Sequence, residues 1–193
     1  MGLKSLSTGV EGNLTRSFES CFPMIPFLGR ELKVEERPTP FSHLRLREKE
    51  ETLFIDVPAA TPSGKRPQLM REAILGWLKS QARTVVSEKV TRIANSLGLR
   101  IGRIALKETR TRWGSCSTRG NLNFNWRLVL APPWVIEYLV HHELAHLQEM
   151  NHSDRFWDLV KSRCPEFRNH EAWLKARERS LLDWDLQIPI GPI

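Results

Sequence analysis

The chain has 193 residues, of which 40% are hydrophobic, and it carries a net charge of +7. This length and apolar content suit one globular domain with its own core. The three cysteines Cys21, Cys116 and Cys164 are widely spaced and form no CxxC pair. This spacing argues against a disulfide framework and a cysteine-rich zinc module, and it favours a reducing compartment.

No part of the sequence resembles a membrane or export signal. The N-terminal twenty residues lack the continuous apolar stretch of a signal peptide. No segment approaches the roughly 18 apolar residues that are needed to cross a bilayer. We therefore expect a cytoplasmic protein with no membrane attachment, and no sequence feature predicts its oligomeric state.

Composition and hydrophobic periodicity divide the chain into three parts. Residues 1–25 are predicted to be a flexible N-terminal segment, because serine, glycine, threonine and charged residues alternate there without a period. Residues 26–184 are predicted to form the domain, and residues 185–193 a C-terminal tail. Partly alternating segments at 27–34, 43–47 and 53–57 predict a small antiparallel sheet.

The rest of the domain is predicted to be mainly helical. Apolar residues at three- and four-residue steps predict a helix over 67–97, which Gly98 ends. Alternation at 103–108 and again at 122–126 predicts a strand pair with one buried face, joined by a long glycine-containing loop. Further helices are expected over 133–149, from about 153 to Pro165, and over 170–182. The expected fold class is α+β.

The segment HHELAH at residues 141–146 carries the pattern HExxH. On a helix, His142 and His146 project from one face, one turn apart, so that both imidazoles can bind one zinc ion. Glu143 is then placed beside the metal, where it can take a proton from a zinc-activated water. The pattern predicts one zinc ion per chain and a hydrolase that cleaves peptide or amide bonds.

A catalytic zinc site needs a third protein ligand and one open position. His152 follows His146 by six residues, the spacing of the third histidine in metzincins, although Glu149 stands where those proteins have glycine. Cys116 is the alternative third ligand and would give a deformylase-like amidase. We favour His152, since three nitrogen ligands would then come from one compact segment.

Two residues are candidates for stabilising an oxyanion or binding substrate. Tyr138 lies one turn before His142 on the same helix face, and Arg112 lies in the loop before the second predicted strand of the pair.

Residues 81–120 contain nine basic and two acidic residues, so they account for the whole net charge. Such a segment is either a solvated face or a surface for nucleic acid or acidic peptides. We see no helix-turn-helix or zinc-finger spacing in the sequence. A nucleic-acid-associated protein is therefore an alternative to the peptidase, and a purely structural zinc site is a third hypothesis.

Several stretches together resemble the YgjP-like metallopeptidase family, which is related to the SprT-like and WLM zincins. The resemblance rests on Leu28-Gly29-Arg30, TRWGSCS at 111–117, NWRL at 125–128, and residues 133–157 with HHELAH and NHSDRFW. It covers about residues 26–182.

The resemblance implies a zincin-like fold in which a small antiparallel sheet is packed on the active-site helix carrying HExxH. It also implies that His142, His146 and His152 bind the metal and that Glu143 is the catalytic acid and base. By the same analogy, a sheet edge near the cleft binds an extended peptide or protein substrate by strand addition. The SprT-like relatives act on protein near DNA, which keeps the nucleic-acid alternative open.

Overall fold

The computed structural model describes residues 24–186 and has an α+β architecture. Nearly all of the predicted N-terminal segment and most of the predicted tail lie outside the described residues. The strands of the described range are β1 (Ile25–Phe27), β2 (Arg30–Thr39), β3 (Arg45–Lys49), β4 (Thr52–Pro58), β5 (Ile104–Lys107), β6 (Gly114–Cys116) and β7 (Leu122–Asn125). The α-helices are α1 (Arg66–Ser96), α2 (Pro133–Ala145), α3 (Asp154–Arg163) and α4 (Phe167–Leu182), and short 3-10 helices cover Ser63–Lys65, Trp126–Leu130 and Trp184–Leu186.

The first sheet has the strand order β1-β2-β4-β3 and is mixed. A tight turn at Leu28 and Gly29, both with positive φ, separates β1 from β2 and makes them antiparallel. The next strand in sequence, β3, lies at the far edge, and β4 returns from it to pair in parallel with β2. The prediction of a wholly antiparallel sheet is therefore wrong. Alternation indicates which face of a strand is buried, and it carries no information on strand direction.

The second sheet, with the order β5-β7-β6, is also mixed. The strands β5 and β7 lie where the alternation predicts a strand pair, and they are parallel. The predicted loop between them contains β6, an edge strand of three residues that is antiparallel to β7. A strand this short shows no period in the sequence.

The long helix α1 confirms the predicted apolar stripe. It buries Met70, Ile74, Leu78, Val86, Val90 and Ile93 against both sheets, the Trp126–Leu130 segment and α2. At its end Gly98 has a φ of +64°, and the Leu99 N–H donates to the Ala94 carbonyl oxygen. These features form the glycine-capped helix end that the sequence predicts.

Helix α2 ends at Ala145, four residues before the predicted end. The Leu147 and Gln148 N–H groups donate to carbonyl oxygens three residues earlier, so the last turn tightens and the chain leaves the helix axis. His142 and Glu143 thus lie on α2, and His146 is its C-cap residue with helical φ and ψ. No helix within residues 24–186 combines the length and hydropathy that a membrane span requires.

A buried arginine connects the C-terminal end of the described chain to the core. The side chain of Arg127 has no exposed surface, and its Nε donates to Asp185 Oδ1 at 2.8 Å. Its NH2 group also lies 3.2 Å from Glu108 Oε1. Because a buried charge is costly without a partner, this ion pair fixes the Trp184–Leu186 segment against the Trp126–Leu130 segment.

Candidate metal centre

Three histidine side chains meet at one end of α2. The nearest ring nitrogens of His142, His146 and His152 all lie within 4.8 Å of one another. The closest pair is His142 Nε2 and His152 Nε2, which are 3.1 Å apart. The sequence spacing that favours His152 over other third ligands therefore corresponds to a real cluster.

The local backbone explains how a residue beyond the helix returns to it. After the tightened end of α2, the chain reverses through residues 147–152, and α3 starts directly afterwards. The Ser153 side chain accepts the Phe156 N–H and caps the N-terminus of α3. This cap fixes the backbone next to His152, so the third imidazole is held beside the other two.

The separation of His142 and His152 is close to that of two ligands of a tetrahedral metal ion. Ligands about 2.0–2.1 Å from zinc lie about 3.4 Å apart, close to the His142–His152 separation. The His146 Nδ1–H can donate to the Glu149 carbonyl oxygen at 3.2 Å, which leaves the Nε2 lone pair free for a metal. An all-imidazole set suits zinc and other late transition metals.

Phe156 supports all three imidazoles at once. Its side chain is fully buried, and its ring centroid lies 4.9, 4.5 and 4.6 Å from the centroids of His142, His146 and His152. Trp157 stacks on His152 from the same helix, at 5.7 Å. The pattern of apolar residues in α3 predicts that both aromatic residues point inward, but it gives no indication that they contact the histidines.

Burial also favours the neutral form of His142 and His146, which is the form that binds metal. It lowers the pKa of His142 to about 3, with a smaller contribution from the neighbouring His146 and His152. Burial lowers the pKa of His146 as well. Neutral rings at pH 7 offer their lone pairs without first losing a proton.

Glu143 lies beside the histidines with only 3% of its surface exposed. Its Oε2 atom is buried and has no hydrogen-bond partner among residues 24–186. Burial raises the pKa of this carboxyl to about 8. Burial without a partner therefore favours the neutral carboxyl form, and such a shift is typical of a group that interacts with a water, a metal or a substrate at a functional site.

Gly114 in β6 makes the room for that carboxylate. A Cβ atom at this position would lie 2.3 Å from Glu143 Oε1 and 2.7 Å from its Cδ. A side chain at this position would displace the Glu143 carboxyl group from its place beside the strand. Gly114 lies in the TRWGSCS stretch at 111–117. Nothing in the sequence shows which side chain this glycine accommodates.

The remaining candidate residues lie at different distances from this centre. Cys116 borders the same cavity as the histidines, but its sulfur is not part of the 4.8 Å cluster, and burial raises the pKa of its thiol to about 11. Tyr138 is buried, with its ring 6.0 Å from that of His142. Arg112 is exposed and lines a neighbouring cavity instead.

The metal centre opens into a cavity of about 260 Å³ beside the edge of the second sheet. The three residues of β6 form one wall, and Glu143, the histidines and Met150 form the rest. Within the described chain β6 pairs with β7 on one side only, so its other edge has no strand partner there.

Comparisons with known proteins place the chain in a family. The family model described as "YgjP-like, metallopeptidase domain" matches residues 15–177. No curated protein matched the chain.

Two solved structures share part of the architecture. The metallopeptidase zymogen abylysin of Pyrococcus abyssi is 19% identical, with a TM-score of 0.41 over 49% of this chain and 96% of its own. The zymogen jannalysin of Methanocaldococcus jannaschii is 22% identical, with a TM-score of 0.40 over 47% of this chain and 96% of its own. At these values the two structures add nothing to the geometry described above. The family match covers most of the described domain, and the chain belongs to the YgjP-like metallopeptidase family.

Proposed function

We propose that the domain at residues 26–184 is a zincin-like, zinc-dependent peptidase in which His142, His146 and His152 bind the metal and Glu143 is the general base. One observation carries this proposal: a buried carboxylate without a partner lies next to three clustered imidazole nitrogens in an open cavity. A structural zinc site would be expected to use a fourth protein ligand, and the cluster within the described residues offers three.

A bound zinc ion would acidify a water molecule and polarise the scissile carbonyl group. The Glu143 carboxylate takes a proton from the attacking water and then delivers it to the leaving amine nitrogen. Its burial next to Gly114 holds the carboxylate at a fixed place for both transfers. The buried Phe156 ring packs against all three imidazoles and keeps them in position.

The substrate is proposed to be an extended peptide segment that adds to the free edge of β6. An edge strand offers unpaired N–H and C=O groups at about 3.3 Å per residue, which an extended peptide can match. Since β6 also walls the metal cavity, a peptide paired with it passes over the histidines.

The metal site is tested by elemental analysis of protein purified without a nickel column. We expect about one zinc per chain in the wild type and a loss or sharp weakening in His152→Ala. His141→Ala is the matched control, because His141 is adjacent in sequence and lines a cavity on another side of α2. Equal zinc loss in both variants would contradict the assignment of His152.

The catalytic role of Glu143 is tested by Glu143→Gln. The variant should retain zinc and lose peptide hydrolysis by about 10²–10⁴-fold, the usual contribution of a general base. Hydrolysis would be followed by mass spectrometry on a proteome-derived peptide mixture. Retained turnover with zinc bound would refute the mechanism.

The deformylase-like alternative depends on Cys116 as a metal ligand. We expect Cys116→Ser to bind zinc as the wild type does, since the sulfur lies outside the cluster of nitrogens. Loss of zinc in this variant would restore the alternative.

The nucleic-acid alternative remains a prediction. Three of the nine basic residues at 81–120 form ion pairs, since Lys89 and Arg92 contact Glu137 and Arg110 contacts Asp183. These pairs neutralise part of the local charge. Salt-dependent binding to a plain DNA duplex would support the alternative, and no binding at low salt would remove it.

A further inference from the structure

A second cavity lies beside the metal centre, on the other face of the second sheet. Its volume is about 230 Å³, enough for about seven water molecules at about 30 Å³ each, and so for one long side chain. Gly114 and Ser115 line both this cavity and the metal cavity, so only the edge strand β6 separates the two.

The register of the sheet shows which residues face this second cavity. Ser115 pairs with Asn123, and Asn125, two residues further along β7, pairs with Lys107. Paired residues share a face of a sheet, and successive residues alternate between faces. These four residues therefore share the outer face, whereas Gly114 shares the inner face with Phe124 and meets Glu143 there.

The loop before β6 completes the wall of the cavity. The Asn125 side chain is buried, and its Nδ2 donates to the carbonyl oxygens of Thr109 and Arg112 at 2.6 and 3.4 Å. The Thr109 hydroxyl donates to the Arg112 carbonyl oxygen at 2.8 Å. These bonds fix the loop at residues 109–112, so Arg112 is held at the cavity and is not on a free segment.

The two charged residues that line the cavity are both basic, and the adjacent Glu108 is paired with Lys79 and Arg127. Lys107 and Arg112 line it, both are exposed, and neither lies within ion-pair distance of a carboxylate of residues 24–186. The other lining side chains are uncharged. Glu178 is close, since it accepts the Trp113 Nε1–H at 3.2 Å, but it belongs to α4 and does not line the cavity.

We propose that this cavity is a specificity subsite that accepts an acidic side chain of the peptide substrate, with Lys107 and Arg112 as its cationic contacts. The inference rests on the proposed function, because it requires a peptide paired with β6. Side chains of an extended peptide point alternately to the two faces of the sheet. A peptide residue within about two positions of the scissile bond then lies on the same face of the sheet as Ser115, and its side chain enters the cavity.

A binding measurement tests the subsite independently of hydrolysis. Two pools of fluorescent octapeptides made of alanine and leucine would differ only in carrying glutamate or glutamine at one central position. Fluorescence anisotropy with zinc-loaded Glu143→Gln protein at about 0.15 M salt gives the two affinities without cleavage. We expect about fivefold tighter binding of the glutamate pool, as suits contacts with two exposed cations.

Charge reversal identifies the residues responsible. In that protein, the added changes Lys107→Glu and Arg112→Glu should abolish or invert the preference. The matched control is Arg103→Glu with Arg119→Glu, because this pair makes the same change in net charge in segments that flank the strands of the same sheet and lines neither cavity. The control should keep the preference. Lys107→Gln with Arg112→Gln is the milder version and should remove the preference without inverting it.

Three outcomes would overturn the proposal. The first is equal affinity for the two pools, and the second is an equal loss of preference in the control pair. The third is displacement of the glutamate peptides by a DNA duplex whose binding requires Lys107 and Arg112. This result would assign the surface to nucleic acid. If wild-type protein bound glutamate peptides selectively but cleaved none, the proposed function would fail while the acidic subsite stood.

Discussion

Replacing Gly114 with alanine adds one methyl group at the point where β6 passes Glu143, the proposed general base. The new Cβ would lie 2.3, 2.7 and 2.9 Å from Oε1, Cδ and Cγ of Glu143, well inside van der Waals contact. Gly114 lies in a β-strand and does not have a positive φ, so alanine suits its backbone. The Glu143 side chain must therefore yield, while the strand stays in place.

The expected loss of peptide hydrolysis follows from the distance by which the Glu143 carboxylate must move. Restoring an ordinary contact of about 3.4 Å moves the Glu143 carboxylate by about 1 Å. A misplacement of about 1 Å in a catalytic group costs on the order of 10²-fold in rate. The three histidines do not approach Gly114 in this way. We therefore expect Gly114→Ala to reduce kcat/KM for peptide hydrolysis by about 10²-fold while zinc content remains near one per chain.

The assay compares zinc content, peptide hydrolysis and thermal unfolding in three proteins: wild type, Gly114→Ala and Gly76→Ala. Gly76 is the matched control, since it lies in α1 with no atom within 4 Å of an added Cβ. Alanine there should raise the free energy of unfolding by about 0.5–1 kcal/mol and leave hydrolysis unchanged.

A Gly114→Ala protein that hydrolyses peptides at the wild-type rate would contradict the displacement of Glu143. Loss of zinc from Gly114→Ala would also contradict it, because the methyl group would then have moved the histidines and not the carboxylate.

Three further predictions concern stability and thiol reactivity. Asp185→Ala removes the main partner of the fully buried Arg127, so urea denaturation should show a loss of about 3 kcal/mol; a loss under about 1 kcal/mol would contradict the buried pair. Lys79 lowers the pKa of Glu108 through a hydrogen bond, and this stability is present above the unfolded pKa near 4.5 and lost as the pH falls through the folded value. Lys79→Met should therefore unfold at a slightly lower Tm than the wild type at neutral pH, because the pair of half-exposed side chains contributes under about 1 kcal/mol. This Tm difference should vanish in acid. A Tm difference that grows in acid would contradict the assigned direction of the Glu108 pKa shift. Burial raises the pKa of the Cys116 thiol to about 11. In metal-free protein, iodoacetamide should therefore modify Cys116 slowly at pH 7.5 and faster above pH 10, as measured by peptide mapping. Rapid modification at pH 7.5 would contradict the burial of this thiol.

Much of the candidate metal centre is predictable because its three histidines are close in sequence. His142 and His146 are one helical turn apart, and the six-residue spacing to His152 indicates a third ligand in the next segment. The parts that depend on tertiary contact are not predictable in this way. The space that Gly114 leaves for Glu143 comes from the approach of two distant elements.

The fold shows the same division between local and non-local information. The stripe of α1 and its glycine cap are local patterns, and both are confirmed. The parallel pairing of β2 with β4 and of β5 with β7 depends on the order in which strands join a sheet, which alternation does not encode. The predicted end of α2 at residue 149 is wrong, because the apolar pattern continues beyond Ala145 while the backbone hydrogen bonds shorten to a three-residue step.

The ion pair between Arg127 and Asp185 has a consequence for synthesis of the chain on the ribosome. The two residues are 58 positions apart, so at about 5–20 residues per second the arginine is made about 3–12 s before its partner. The histidine cluster is translated within that interval, but burying Arg127 before Asp185 is made would leave its charge without its main partner. We expect the nascent domain to remain partly open at this point, and to be most dependent on chaperones just before its last helical turn emerges.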